Sequence, residues 1–327
     1  MKILSLFDGI SCARVSLERA GIPVELYYAS EVDKYAIQIA QKNYPATIQL
    51  GNVVGLNPPP NIDLLIGGSP CQDLSITKKN RQGLSGKRSG LFWEYVRILK
   101  EAQPRYFILE NVASMPAEAK QTITETLGVE PIMINAALVS AQNRKRLFWT
   151  NIPNITLPED RGILLKDILN KSEKAYCIPS TYWKENIKSL VKRKKNGLLI
   201  KVGHFNSGGQ GDRVYSTDGK STALAALAGG RGAKTGLYMI QTPRGNNKGG
   251  KKALDGKTPT LSSSSWEHNN KLSDNEIVRK LTPIECERLQ GLPDNYTEGI
   301  SNTQRYKCLG NAFNVDVVAH ILKFLTP

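Results

Sequence analysis

Short apolar runs alternate with amphipathic stretches through the first half of the chain. Ile3–Phe7, Val24–Ser30, Asp63–Gly67, Tyr106–Leu109, Met133–Val139 and Arg146–Asn151 have strand length and composition. Between them Ser11–Ala20, Lys34–Asn43, Gly90–Ala102 and Ala117–Leu127 repeat apolar residues at helical spacing, and Gly21 and Pro45 mark the first two stops. Runs such as Leu64-Leu65-Ile66 do not alternate with polar residues, as expected for strands covered on both faces. Strands separated by helices of about ten residues predict an α/β fold with a doubly wound, mostly parallel sheet.

Past Asp160 the pattern changes. The chain becomes rich in Gly and Lys, and Asp218-Gly219 and Asp255-Gly256 are hairpin-turn signals within two similar stretches. Helical spacing returns at Thr282–Gln290, with Thr282 as cap and Pro283 in the first turn. A last helix at about Val315–Leu325 carries Val317, Val318, Ile321, Leu322 and Leu325 on one side, suited to packing back on the first domain. The expected division is residues 1–160 with 305–327 as one domain, and 161–304 as a smaller, β-ribbon-rich domain with its hinge.

Charge sharpens this division. The segment from Asp160 to Val278 holds 21 basic and 10 acidic residues, so about a third of the chain carries +11 of the net +15. That is the footprint of a polyanion-binding face. No apolar run approaches the roughly 20 residues of a membrane span. The opening Met1–Phe7 reads as a first strand and not a leader, which leads us to expect a cytoplasmic protein. Five cysteines without CxxC spacing and three histidines give no metal framework. A monomer is expected.

Two strand ends carry chemistry. One runs Leu65-Ile66-Gly67-Gly68-Ser69-Pro70-Cys71-Gln72, the other Phe107-Ile108-Leu109-Glu110-Asn111-Val112. An isolated strand-end Cys is most often an inert buried thiol, and a lone Glu there a solvated carboxylate. Together, Pro-Cys-Gln after a small-residue turn and a later Glu-Asn-Val resemble two motifs of the DNA cytosine-5 methyltransferases. The resemblance is to bacterial and phage restriction–modification enzymes, and around the nucleophile also to the vertebrate de novo DNA methyltransferases. Further motifs stand in the family's order: Phe7-Asp8-Gly9-Ile10-Ser11, Gln142-Asn143-Arg144-Lys145-Arg146, Arg279–Pro293 and Gly310-Asn311-Ala312-Phe313-Asn314-Val315.

The chemistry of that family explains each residue type. Cytosine C5 is a poor nucleophile, so methylation needs a covalent partner at C6, a proton donor at N3, an electrophilic methyl and a base swung out of the helix. The resemblance implies Cys71 as nucleophile and Glu110 as acid, for which a partly buried carboxyl is suited. Arg144 and Arg146 would lie beside the cytosine O2 and its phosphate. S-adenosyl-L-methionine, leaving as S-adenosyl-L-homocysteine, would be held in a Rossmann-like site by Phe7, Asp8, Gly9, Ile10, Glu31, Val32, Asn52, Pro70, Leu91, Asn311 and Ala312. Glu31 ends the second strand, where a carboxylate can accept ribose hydroxyls. Three positions depart from the family: Cys12-Ala13 stands where a third glycine is usual, Asn52 replaces an Asp, and Ala312 replaces a Ser.

The implied partner is double-stranded DNA. Gln72 directly follows Cys71 and is expected to contact the DNA, and Ser75 and Arg88 belong to a cationic segment, Asp73–Ser89, expected to close over it. Gln210 is expected to enter the duplex where the cytosine leaves, and Arg213 to read a guanine, the commonest specific contact. Gly229, Gly230 and Lys234 form a second Gly-rich loop of the target-recognition domain. The family also contains a branch that methylates tRNA, with a shorter insert, and a catalytically silent DNA-binding homologue is a third reading.

Overall fold

The computed structural model describes residues 1–70, 89–169 and 277–325, together with the strand segments 201–204, 213–215, 238–241, 250–253, 258–259 and 271–274. In chain order the first half runs β1 (Lys2–Leu6), α1 (Cys12–Arg19), β2 (Leu26–Ser30), α2 (Lys34–Asn43), β3 (Ile48–Gln49) and β4 (Leu64–Gly67). It continues through α3 (Phe92–Ala102), β5 (Tyr106–Val112), α4 (Ala117–Leu127), β6 (Ile132–Asn135), β7 (Gln142–Asn143) and β8 (Lys145–Thr150).

Seven strands form one sheet in the order β3-β2-β1-β4-β5-β8-β6. The run from β3 to β5 is parallel, and β8 enters antiparallel between β5 and β6. Alternating side chains explain why both faces are covered. Ile3, Leu64, Ile66 and Ile108 point into a cluster with Ala13 and Leu17 of α1, whereas Leu4, Leu65, Phe107 and Leu109 join Phe92, Tyr95 and Ile98 of α3. The chain order reverses between β1 and β4. In an open sheet of this kind, that switch point is where ligands bind, beyond the carboxyl ends of the strands.

The expected elements are present, with informative differences. β5 extends through Glu110 and Asn111 to Val112, because β8 pairs with it to that point. The strand expected at Met133–Val139 stops at Asn135, whose side chain accepts from the backbone N–H of Ala137 (3.2 Å) and of Arg144 (2.9 Å) and turns the chain. The two-residue β3 was not expected.

Among the remaining segments are α5 (Leu165–Ile168) and strands β9 (Lys201–His204), β10 (Arg213–Tyr215), β11 (Tyr238–Gln241), β12 (Gly250–Ala253), β13 (Thr258–Pro259), β14 (Lys271–Asp274) and β15 (Ile277–Lys280). β9 and β10 pair antiparallel, and β12-β11-β14-β15 form an antiparallel sheet, the ribbon character foreseen for this region. Both Asp-Gly turns lie outside the described residues.

The chain then returns to the first domain. Helix α6 (Pro283–Leu289) opens with a capping box between Thr282 and Glu285, and α7 (Asn302–Asn311) and α8 (Val315–Leu322) come after it. Leu281, Cys286, Leu289, Leu292 and Tyr296 share one apolar cluster with Ile10, Val15, Ile39 and Leu309. The residues from Leu281 to Tyr296 thus pack against helices of the first domain. Asp316 fastens α8, accepting from Arg19 of α1 (3.0 Å) and from Arg161 (3.1 Å).

Asn314 holds the turn into α8. Its amide donates to the Leu289 carbonyl (3.0 Å) and the Ser140 hydroxyl (3.3 Å), and its oxygen accepts from the Val317 N–H (3.1 Å). Asn314→Ala removes a helix cap and leaves a buried carbonyl unpaired, so urea unfolding is expected to show a loss of about 1–3 kcal/mol. An unchanged midpoint would contradict this role.

Candidate active site

The site grows from the pairing of β4 with β5. Their parallel register sets Gly67 beside Leu109, which brings the next residue, Gly68, alongside Glu110. Any larger residue there would force a neighbouring side chain to move. A Cβ on Gly68 would lie 2.7 Å from the Phe313 ring and 3.1 Å from Glu110 Oε2. Asn111, fully buried, then ties the two strand ends together: its amide donates to the Ser69 carbonyl (3.3 Å) and hydroxyl (3.1 Å). The chain therefore leaves β4 from an anchored point, and Cys71 comes directly after Pro70 in the sequence.

Glu110, Arg146 and Phe148 share one face of the sheet, because Glu110 pairs with Phe148 and Val112 with Arg146. The outcome is an ion pair, Arg146 Nε to Glu110 Oε1 at 2.7 Å, with the two side chains only 14% and 13% exposed. Their oppositely charged, half-desolvated groups orient one another. They line a small recess closed by Ile134, Phe313, Asn314 and Val317. Arg144, also on its wall, is turned inward: its guanidinium donates to the backbone carbonyls of Ala312 (2.9 Å) and Gly310 (3.5 Å) and is buried. The two arginines thus divide their work, one on the carboxyl and one on the strap from 310 to 315.

A second part of the site lies at the ends of β1 and β2. The turn Phe7-Asp8-Gly9-Ile10-Ser11 has left-handed backbone at Phe7, Gly9 and Ser11. Glu31 grips it: Oε2 accepts from the Gly9 N–H (2.8 Å), and Oε1 from Val32 (2.7 Å) and Asp33 (2.8 Å). A Cβ on Gly9 would meet nothing within 4 Å, so the turn faces open space. Beside it Val32 is 69% exposed, an unusual setting for an apolar side chain. Asn52, exposed, uses its carbonyl to accept from the Val54 N–H (3.0 Å). Leu91 ends a short turn before α3 and packs on the apolar cluster there. Asn311 is exposed at the end of α7 and Ala312 is buried.

Asp8 points the other way. Its carboxyl is buried and accepts from the Ser11 hydroxyl (2.5 Å) and the Tyr27 hydroxyl (2.6 Å). Burial pushes its pKa up to about 6, against the lowering effect of those bonds. Cys71, Gln72, Ser75, Arg88, Gln210, Gly229, Gly230 and Lys234 lie outside the described residues, and of Arg213 only its place in β10 is described. Gly68 and Phe313 stood inside the quoted motifs without a site role of their own, and Tyr27 was not singled out at all. The double glycine was a visible sign of close approach, whereas nothing local in the sequence links Tyr27 to Asp8.

The sequence that builds this sheet and the Glu110–Arg146 pair matches a known family model. That of the C-5 cytosine-specific DNA methylases matches residues 1–326. The chain belongs to this family. As a DNA cytosine-5 methyltransferase it has relatives along its whole length. It is 27% identical to the type II methyltransferase M.HhaI of Haemophilus parahaemolyticus, covering 98% of this chain and 93% of that one. It is also 27% identical to the orphan methyltransferase M.SPRI of Bacillus phage SPR, covering 99% and 97%. Among solved structures, a DNA modification methyltransferase encoded in an Escherichia coli prophage shares the fold. Its TM-score is 0.61 at 20% identity, covering 99% of this chain and 98% of that one.

The geometry of this methyltransferase gives two expected outcomes. Gly68→Ala should displace Phe313 or the carboxyl of Glu110 and lower methyl transfer on the order of 10²-fold, the cost of small misplacements at reacting centres, with circular dichroism unchanged. Wild-type turnover in that variant would mean the contact is unimportant. For Asp8, the folded pKa of about 6 exceeds the unfolded value of 3.8, so the folded state retains a proton that the unfolded chain has lost. Stability relative to Asp8→Asn should therefore be fully present below about pH 4 and fall as pH rises to about 6, by up to about 3 kcal/mol. Parallel unfolding free energies for both proteins across that window would refute the assignment.

Proposed function

We propose that the chain transfers a methyl group from S-adenosyl-L-methionine to C5 of a cytosine swung out of double-stranded DNA, through a covalent bond from Cys71 to C6. The observation that carries this reading is the Glu110–Arg146 pair beside Gly68, with Asn111 tied to Ser69, two residues before Cys71 in the chain.

In this reading the Cys71 thiolate adds to C6. The electrons of the C5–C6 double bond are then available at C5, as a proton taken up by Glu110 passes to N3 and Arg146 holds the carboxyl in place. The donor, when bound, supplies an electrophilic methyl on a sulfonium centre. With the methyl on C5, that carbon loses its proton to a base, the Cys71–C6 bond breaks to return the thiolate, and N3 gives its proton back to Glu110. The net change on the cytosine is one methyl gained and one proton lost.

The turn after β1 fits the donor. Gly9 faces open space, Glu31 keeps lone pairs beyond its three backbone bonds, and exposed Val32 offers an apolar surface to a flat base. Phe7, Ile10, Asn52, Pro70, Leu91, Asn311 and Ala312 complete the proposed binding set. DNA would be read by the basic region between Asp160 and Val278, with Arg213 on a guanine, Gln210 in the vacated stack, and Lys234 with Gly229 and Gly230 on a second loop. Gln72, Ser75 and Arg88 would accompany the nucleophile onto the DNA.

Cys71→Ser is expected to abolish transfer of labelled methyl to duplex DNA while DNA retention on a filter persists, since a hydroxyl is a far weaker nucleophile than a thiolate. Glu110→Gln should slow transfer by roughly 10²–10⁴-fold with donor affinity little changed. Near-normal turnover in either variant would refute its role, and methylation of tRNA in place of duplex DNA would move the substrate to the other branch of the family.

A further inference from the structure

The turn after β1 contains a serine in a conformation that favours glycine. Phe7, Gly9 and Ser11 have φ of 56°, 59° and 59°. Gly9 adopts this freely, whereas a Cβ at Ser11 crowds the carbonyl next to it. Something must hold Ser11 there. Its hydroxyl donates to Asp8 Oδ2 (2.5 Å), its N–H to the Asp8 carbonyl (3.2 Å), and Asp8 Oδ1 accepts from the Tyr27 hydroxyl (2.6 Å). All three side chains are almost completely shielded from water. Strand β2 therefore grips the turn through Tyr27 on the Asp8 carboxyl, and Glu31, just past the strand's end, grips it again at the Gly9 N–H (2.8 Å).

We propose that Asp8 and Tyr27 are positioning residues for the methyl donor, holding Ser11 in its left-handed conformation and so presenting the backbone of Gly9 and Ile10 to the ligand. This rests on the reading of the turn as the donor site. Asp8 acts through Ser11 and not by contact, since both carboxyl oxygens are engaged inside the protein. The Tyr27–Asp8–Ser11 chain does with two hydrogen bonds what a glycine at 11 would do without them.

That equivalence supplies the test. Isothermal titration with S-adenosyl-L-homocysteine and steady-state kinetics would compare the wild type, Tyr27→Phe, Asp8→Asn and the double variant Tyr27→Phe/Ser11→Gly. Tyr27→Phe, which removes one hydroxyl, should weaken ligand binding about 5-fold. It should raise the donor KM in proportion and leave kcat at saturating donor unaltered. Asp8→Asn should weaken binding similarly. In the double variant, where glycine needs no clamp, binding should return to near the wild-type level. Wild-type affinity in Tyr27→Phe, or a double variant as weak as the single, would overturn the positioning role while leaving the donor site standing. A folded wild type that binds neither S-adenosyl-L-methionine nor its product would overturn the donor reading beneath it.

Discussion

The side chain of Asn111, spanning from β5 to the backbone and hydroxyl of Ser69, is the contact on which the rest of the site depends. Parallel register alone places Gly68 beside Glu110, but β4 ends at Gly67, and among the described residues no further strand bonds hold Gly68 and Ser69 in line. Asn111 extends that control by two residues. It is buried in a low-dielectric setting where an unpaired amide is costly, so the bond is strongly enforced. Glycine at 68 is the complementary constraint, because the strap at Phe313 and the carboxyl of Glu110 fill the volume any side chain would need.

The arginines of the Gln142–Arg146 segment divide labour by position, Arg146 lying inside β8 and Arg144 in the break between β7 and β8. Arg146 points along the face shared with Glu110 and Phe148. Arg144 is drawn to the carbonyls of Gly310 and Ala312, which joins the motif at the end of the chain to the centre of the sheet. Charge-assisted bonds to two carbonyls account for an arginine buried at this point. Asn314 and Asp316 continue the same fastening, toward Ser140 and Leu289 and toward Arg19 and Arg161. The segment from Gly310 to Val317 is thus part of the site's wall, although it is far from the β4 and β5 ends in sequence.

Most of the sheet was legible because its strands are continuous apolar runs ending in glycine or polar residues, and its helices carry clean stops. Legibility failed where pairing or tertiary contact overrides local pattern. β5 runs on through the polar Glu110 and Asn111 because β8 supplies the bonds, and Asn135 ends a strand that Ala136–Val139 would otherwise prolong. Helix α7, with Gly310 and several polar residues, has too weak a periodicity to announce itself and is held by α2 and α6, as where Lys307 meets Asp33 at 2.7 Å. Glu110, Arg146 and Glu31 were nameable as candidates from motif order and strand ends. Their partners were not, because Tyr27 with Asp8 and Phe313 with Gly68 meet only in the folded chain.

The proposed function turns on one chemical claim, that Cys71 forms a bond to the cytosine ring. Incubating the enzyme with S-adenosyl-L-methionine and a duplex carrying 5-fluorocytosine at its target site tests it most directly, because fluorine at C5 cannot leave as a proton does and the adduct is held. The account predicts a denaturation-resistant protein–DNA complex that depends on the donor, with peptide mass mapping placing the DNA on Cys71. A duplex that is methylated when it contains ordinary cytosine, yet yields no such complex or one mapped to another residue, would contradict it.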